Sequence, residues 1–167
     1  GDYKDNSQFA NHANPGETSE LYYDRFGYAN NALFVVPTGD GAVVDNSVQY
    51  NSDWTTVSFW VKMFELPASG EVYLLSFGGW QERWKISLPS HGKPVWTTHG
   101  TTCCSDLDSG DGNELVVNEW THVVVSHGPA QDKIYIDGVL ANSKDAGTPL
   151  NDTDYDLGIG WNPIDGG

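Results

Sequence analysis

The chain has 167 residues, the length of one domain, and carries 23 Asp and Glu against eight Lys and Arg, a formal net charge of −15 at pH 7. Nucleic acids and anionic membranes attract clustered cations, so this composition excludes both as expected partners. The sequence has no run of about 18 apolar residues, so we predict no membrane insertion. Nineteen Gly, eight Pro and 13% aromatic residues are typical of short strands joined by turns.

The chain begins with a polar segment and continues with short apolar runs. Residues 1–31 are rich in Asn and Gly and show no periodicity, which predicts a long surface loop. Residues 33–36 and 42–44 are predicted as short strands around a Gly-containing turn.

The clearest amphipathic strand pattern lies at residues 55–63. Its odd-numbered positions from Val57 to Met63 are apolar, so we expect them to face the core, with Trp60 on the opposite face. Three further strands are predicted at residues 72–77, 84–88 and 95–98. Short strands at regular spacing, without a helical period, predict an all-β sandwich.

The strongest β pattern lies at residues 120–140. The segment W-T-H-V-V-V-S-H predicts one strand, and we expect Trp120 to be buried with it in the core. Gly128-Pro129 then interrupts the pattern, and K-I-Y-I-D-G-V-L predicts a hairpin. Asp-Gly is the strongest short hairpin signal, because a type I′ turn needs positive φ at both central residues.

These two segments together, E-W-T-H-V-V-V followed by K-I-Y-I-D-G-V-L, resemble the laminin-G-like or concanavalin A-like jelly-roll domains of the LamG-3 type, which are related to pentraxins. The segment Y-D-R-F-G-Y-A-N-N-A resembles the opening of the bacterial members. The resemblance implies an antiparallel jelly-roll β-sandwich formed by residues 1–167 as a single domain.

The family pattern also implies a strand before residue 1 and another after residue 167. Both are missing from this chain, although the two terminal strands of such sandwiches pair side by side. We therefore expect the domain to be part of a longer polypeptide, or to be completed by strands from a neighbouring molecule. The second case predicts self-association, because unpaired strand edges recruit other strands.

The sequence gives no support for catalysis. Enzymes of the same architecture that cleave β-glucans carry Glu-x-Asp-x-x-Glu on one strand, and this spacing is absent. Gly-x-Ser-x-Gly and His-Glu-x-x-His are absent as well. We predict a non-catalytic domain.

Two Trp residues in Gly-rich turns suggest a carbohydrate site. A Trp ring stacks on the C–H face of a sugar, while amide, carboxylate and guanidinium groups bond its hydroxyls. The alternative is that both Trp residues cap the edge of the sandwich. The predicted carbohydrate-binding residues are Trp80, Gln81, Glu82, Arg83, Trp161, Asn162 and Asp165. Pentraxins use the corresponding loops to bind ligands through Ca²⁺, but the cationic Arg83 argues against that mode.

Acidic segments suggest a structural Ca²⁺ ion, because this ion takes six to eight oxygen ligands. One candidate set is Asp106, Asp108, Asp111 and Glu114, in what we predict to be a flexible loop; the alternative is a solvated turn. Resemblance to relatives suggests a second set, Asp2 and Asp5 in the N-terminal loop.

The only cysteines, Cys103 and Cys104, are adjacent. They predict a vicinal disulfide, two free thiols, or bonds to another chain, and their spacing fits no familiar metal motif.

The combined interpretation is a non-catalytic glycan-binding or adhesion module on the cell surface or outside the cell. Its predicted partner is a glycan or an extracellular protein. One alternative is a structural subunit of a surface filament or matrix completed by strands from another segment. The other is an accessory domain of a carbohydrate-active enzyme, or a hydrolase with an unrecognised site.

Overall fold

Alternation of apolar and polar residues along many short strands gives two sheets that each have one hydrophobic face. The computed structural model describes residues 2–36, 39–101 and 103–164. Its strands are β1 Ala13–Pro15, β2 Glu20–Tyr22, β3 Ala32–Phe34, β4 Ala42–Val44, β5 Thr55–Val61, β6 Glu71–Phe77, β7 Trp84–Pro89, β8 Val95–Thr98, β9 Ser105–Asp108, β10 Thr121–His127, β11 Gln131–Ile136, β12 Val139–Asp145 and β13 Leu157–Ile159. A short 3-10 helix, Val48–Tyr50, and a single helical turn, α1 at Gly79–Glu82, complete the regular structure described.

The strands form two large antiparallel sheets and one small one. The first has seven strands in the order β1-β4-β13-β6-β7-β8-β9, and the second has four in the order β12-β11-β10-β5. Strands β2 and β3 pair separately. This arrangement confirms the predicted all-β antiparallel sandwich.

The hydrophobic core lies between the two large sheets. Aromatic residues of the seven-stranded sheet, including Trp84 and Trp96, meet aliphatic residues of the four-stranded sheet, including Val123 and Ile134. The odd-numbered positions of β5 pack against this core, as the alternation predicted, and Trp60 lies on the opposite, exposed face.

The predicted hairpin is confirmed. Strands β11 and β12 pair across Asp137 and Gly138, whose φ angles of 50° and 82° are both positive, as a type I′ turn requires. Strand β10 runs antiparallel to both β11 and β5, so the strongest sequence pattern forms the centre of the smaller sheet.

Two local expectations are wrong. Residues 1–31 are not one loop, because β1 pairs with β4 and β2 pairs with β3, and strands of three residues are too short to show a periodicity. Trp120 lies just before β10 and is half-buried, outside the core. The core positions of β10 are odd-numbered, among them Val123 and Val125.

A cavity of about 240 Å³ opens between the two sheets on the β5 side, where residues such as Val57 and Phe77 line it. In the described chain, β5 pairs with a strand on one side only. Completion of the sandwich by further strands stays a prediction. Among the described residues, the helices are all too short or too polar to cross a membrane.

We expect Ile134→Ala to lower the free energy of unfolding by about 2–5 kcal/mol, because Ile134 is fully buried in the core. Val139→Ala, on the neighbouring strand, is the control: Val139 is 70% exposed, so its loss should cost less than about 1 kcal/mol. Urea unfolding of both variants measures the difference. Equal losses would contradict the assigned faces of the hairpin.

Candidate functional site

The outer face of the seven-stranded sheet, away from the core, carries a row of polar residues. Strands β6, β7, β8 and β9 contribute one residue each, paired in the order Ser76, Lys85, Thr97 and Asp106. These residues alternate with core residues such as Trp84, because successive strand residues point to opposite faces. Ser76, Lys85 and Thr97 are nevertheless almost fully buried.

Most of these buried polar groups have partners. The Lys85 ammonium forms an ion pair with Glu71 and lies 5.1 Å from the centre of the Tyr73 ring. Thr97 Oγ1 donates to an Asp106 carboxylate oxygen at 2.7 Å. Ser87, which follows Lys85 on the same face, is an exception: its buried hydroxyl has no hydrogen-bond partner in the described part of the chain.

Trp80 stands above one end of this polar row. It lies in α1, which Gly78 precedes and Gly79 begins, and both glycines have positive φ (70° and 56°). A Cβ atom on Gly78 would come within 2.9 Å of Thr153, so glycine is needed there both for the backbone conformation and for the close approach. The turn leaves the Trp80 side chain 42% exposed.

Trp80 and three residues of the polar row border an open pocket of about 240 Å³, which we call the Trp80 pocket. Its lining residues are Glu71, Trp80, Lys85, Thr97, Cys104 and Asp106. The pocket thus combines one exposed aromatic surface with hydroxyl, ammonium and carboxylate groups. Such a combination can bind a small polar molecule that also has an apolar face.

Arg83, a predicted carbohydrate-binding residue, is fully buried at the end of the same turn. Its guanidinium donates to the backbone carbonyls of Tyr50, Ser52 and Asn151, and therefore joins two loops beneath α1. Burial lowers the pKa of Arg83 from its usual value, and the nearby Asp152 carboxylate acts in the opposite direction. The structure gives Arg83 a positioning role rather than contact with solvent.

Asn162 is likewise fully buried. Its side-chain oxygen accepts hydrogen bonds from Ser76 Oγ at 3.1 Å and from the Ile164 amide at 3.3 Å. Trp161 is half-buried and does not line the Trp80 pocket.

Gln81 and Glu82, the other predicted residues of the turn, are half-buried and do not line the Trp80 pocket either. Asp165 lies outside the described residues. Of the seven predicted carbohydrate-binding residues, the structure therefore brings Trp80 to the pocket wall.

The predicted calcium ligands are dispersed. Asp106 and Asp108 belong to strand β9 and not to a flexible loop, so that expectation is wrong. Asp111 pairs with Lys93 at 2.9 Å, and hydrogen bonding to this ammonium lowers the pKa of Asp111. Glu114 accepts a hydrogen bond from a backbone amide within its own turn.

The N-terminal pair of predicted ligands is also engaged by neighbours. Asp2 forms an ion pair with Lys4, and hydrogen bonds from Ser7 lower the pKa of Asp5. Within the described ranges, His, Cys and acidic residues form one group of three whose possible ligand atoms all lie within 4.8 Å of one another. This group is His99, Cys103 and Cys104. Calcium binding stays a prediction.

Cys103 and Cys104 form a vicinal disulfide in the structure. Their sulfurs are therefore not thiolates, the form in which cysteine binds metal ions. The disulfide lies in the loop between β8 and β9, where Cys104 contributes to the pocket wall.

Sequence reasoning missed Glu71, Lys85 and Thr97 as residues of the site. A signal was present, since polar residues alternate with apolar ones in β7, where the other face forms the core. That signal shows a polar face, but only the register of neighbouring strands shows that these residues form one row.

The fold and its polar outer face define a concanavalin A-like β-sandwich. The Laminin G 3 family model, described as "Concanavalin A-like lectin/glucanases superfamily", matches residues 37–167. The chain therefore belongs to this family, which confirms the resemblance inferred from the Trp-x-His strand and the Asp-Gly hairpin. No curated protein matches the chain.

Solved structures with the same fold share little sequence identity with the chain. The binding domain of botulinum neurotoxin serotype D aligns with a TM-score of 0.68 and 18% identity over 94% of this chain and 40% of that one. A second structure is domain 4 of AbnA, a GH43 extracellular arabinanase from Geobacillus stearothermophilus, in complex with arabinotriose. It aligns with a TM-score of 0.67 and 19% identity over 97% of this chain and 81% of that one.

A third structure is that of botulinum neurotoxin type C, whose entry into cells is described as dependent on interaction with two ganglioside molecules. It aligns with a TM-score of 0.61 and 16% identity over 92% of this chain and 42% of that one. The chain thus spans about 40% of the length of the toxin chains that it matches.

We expect Arg83→Met to lower the free energy of unfolding by at least about 2 kcal/mol, since it leaves three backbone carbonyls without their donor. Arg25→Met is the control, because Arg25 is exposed and contacts only the surface rings of Phe26 and Trp60 among the interactions described. Thermal and urea unfolding measure both changes. A stable Arg83→Met protein would contradict the positioning role.

Proposed function

We propose that this domain is a non-catalytic glycan-binding module of an extracellular or cell-surface protein, and that the Trp80 pocket is its binding site. The observation that carries the proposal is the placement of an exposed Trp beside a polar pocket of about 240 Å³.

The pocket matches the two kinds of surface that a sugar ring presents. The exposed Trp80 ring offers an apolar face for the C–H groups of the ring. Lys85 donates hydrogen bonds, Asp106 and Glu71 accept them, and the Thr97 hydroxyl can do either. Because Glu71 and Lys85 pair with each other, as do Thr97 and Asp106, the polar groups are held in place before the ligand arrives.

The known proteins of the same fold support this choice of ligand. The arabinanase domain is described in complex with arabinotriose, and the type C neurotoxin is described as interacting with gangliosides. Both ligands contain carbohydrate. The shared fold supports carbohydrate as the class of ligand for this chain, and the composition of the Trp80 pocket supports the location of the binding site.

The arrangement of the two carboxylates supports a non-catalytic role. Glycosidases place two carboxyl groups about 5–9.5 Å apart across the scissile bond. In the Trp80 pocket each carboxylate is already engaged by a neighbouring side chain, Glu71 by the Lys85 ammonium and Asp106 by the Thr97 hydroxyl, so neither is left unpartnered to serve as an acid or a nucleophile.

The arabinanase comparison favours a second candidate, an accessory domain that holds a carbohydrate-active enzyme on its substrate. The two functions share the same pocket and differ in the polypeptide to which the domain is attached. A structural subunit of a filament or matrix is a separate proposal, which size-exclusion mass measurement of residues 1–167 would test.

We expect the domain to bind neutral oligosaccharides on a glycan array, and we expect Trp80→Ala to weaken that binding by about 30-fold, the scale of a lost aromatic hot spot. Isothermal titration calorimetry with the best glycan from the array measures the loss. The physical reason is the removal of the aromatic wall of the pocket.

Trp60→Ala is the matched control for this experiment. Trp60 is also 42% exposed, but it lies on the four-stranded sheet between His122 and Arg25. Its loss should leave glycan affinity unchanged. Full affinity in Trp80→Ala, or no glycan binding by the unmodified domain, would refute the proposed function.

The negative charge of the pocket and of the chain should also limit which glycans bind. The pocket has two carboxylates, Glu71 and Asp106, against one ammonium, Lys85, and the chain as a whole carries −15. We therefore expect sialylated and uronate-containing glycans to bind more weakly than neutral glycans of the same size, with the difference shrinking at high salt. Preferential binding of anionic glycans on the array would contradict this.

A further inference from the structure

Cys103 and Cys104 are the only two cysteines of the sequence, and they are joined to each other. In the chain-entropy account, a disulfide stabilises a protein by closing a loop in the unfolded chain, and the effect grows with the length of that loop. A bridge between neighbours encloses no intervening residues. Its contribution by this route is therefore small, and its effect is confined to its surroundings.

The local surroundings of the disulfide are those of the Trp80 pocket. Cys104 is one of the lining residues, and its sulfur lies 3.5 Å from the Trp80 carbonyl oxygen. His99 Nδ1 donates to the same oxygen at 2.9 Å. The disulfide loop and the Trp80 turn are therefore in direct contact, and the two form adjoining parts of one wall.

The loop that carries the disulfide is held on its other side as well. The Thr101 amide donates to Thr148 Oγ1 at 2.9 Å, and Thr101 Oγ1 lies within hydrogen-bond distance of the same oxygen. Cys104 has a φ of 49°, a left-handed conformation that non-glycine residues rarely adopt without an outside constraint. The covalent ring with Cys103 supplies such a constraint.

The disulfide also differs chemically from the rest of the pocket. Sulfur in a disulfide is soft and weakly polar, and it has no hydrogen to donate. Glu71, Lys85, Thr97 and Asp106 supply charged or hydroxyl groups, so Cys104 and Trp80 are the two lining residues without such a group.

We propose that the Cys103–Cys104 disulfide is a direct contact surface for the bound sugar, on which the C–H groups of the ligand pack beside Trp80. This inference rests on the proposed glycan-binding function and extends it to residues that have no hydrogen-bonding role in the site. The disulfide is a binding element, and the covalent ring holds Cys104 at the wall of the pocket.

The test compares glycan affinity in three states of the protein by calorimetry: the oxidised domain, the domain reduced with a phosphine, and the Cys103→Ala/Cys104→Ala double variant. Thiol titration establishes that the reduced domain carries two thiols per chain. We expect the double variant, which lacks the sulfurs, to weaken binding by about fivefold, the scale of one lost contact residue. Reduction, which keeps the sulfurs but opens the ring that holds them, should weaken binding by a smaller factor. The thermal midpoint should remain close to that of the oxidised domain.

Adding the phosphine to the double variant is the control, and it should change nothing, because no disulfide remains. Unchanged affinity in both the reduced domain and the double variant would overturn the inference while leaving the proposed function intact. A large fall in the thermal midpoint of the double variant would overturn it too, because the disulfide would then act through the fold. If the oxidised domain binds no glycan, the proposed function itself fails, and the inference fails with it.

Discussion

The site depends on the burial of polar groups on the outer face of β7. This strand is buried on both sides: Trp84 and Ile86 face the core, while Lys85 and Ser87 face outward. A buried polar group without a partner costs about 1–3 kcal/mol, so the outward residues need either partners in the protein or a ligand. Glu71 supplies a partner for Lys85, whereas the Ser87 hydroxyl has none in the described chain. The sheet therefore tolerates an energetic cost on the face where the pocket lies.

The wall above that sheet depends on groups buried behind it. Turn α1 has four residues, too few for a helix to be stable by its own hydrogen bonds. Arg83 fixes its end to the carbonyls of two loops, and Asn162 bonds Ser76 from a third segment. These contacts explain why two residues with the right chemistry for sugar binding are directed inward: they position Trp80, and Trp80 faces the solvent.

Most strands could be predicted from the sequence because the patterns that indicate them lie within the strands themselves or in the adjoining turns. Period-two alternation found β5 and β10, and the Asp-Gly turn fixed the register of β11 and β12. Strands β1, β2, β9 and β13 were missed because each has only three or four residues, too few to show an alternation of its own. The site shows a different limit. Trp80 was identifiable from a Gly-rich turn, but the burial of Arg83 and the row formed by Lys85, Thr97 and Asp106 follow from the packing of separate segments.

The pocket is built from two kinds of structure with different constraints. Its floor consists of strand residues that also determine the core, since Lys85 cannot move without moving Trp84 and Ile86. Its wall consists of the Trp80 turn and the disulfide loop, which touch each other but contribute little to the core. Substitutions in the wall can therefore change which ligand shapes fit the pocket while costing little stability. Substitutions in the floor would also disturb the core and so destabilise the fold. A family that shares one sandwich among many ligands would be expected to vary such loops first.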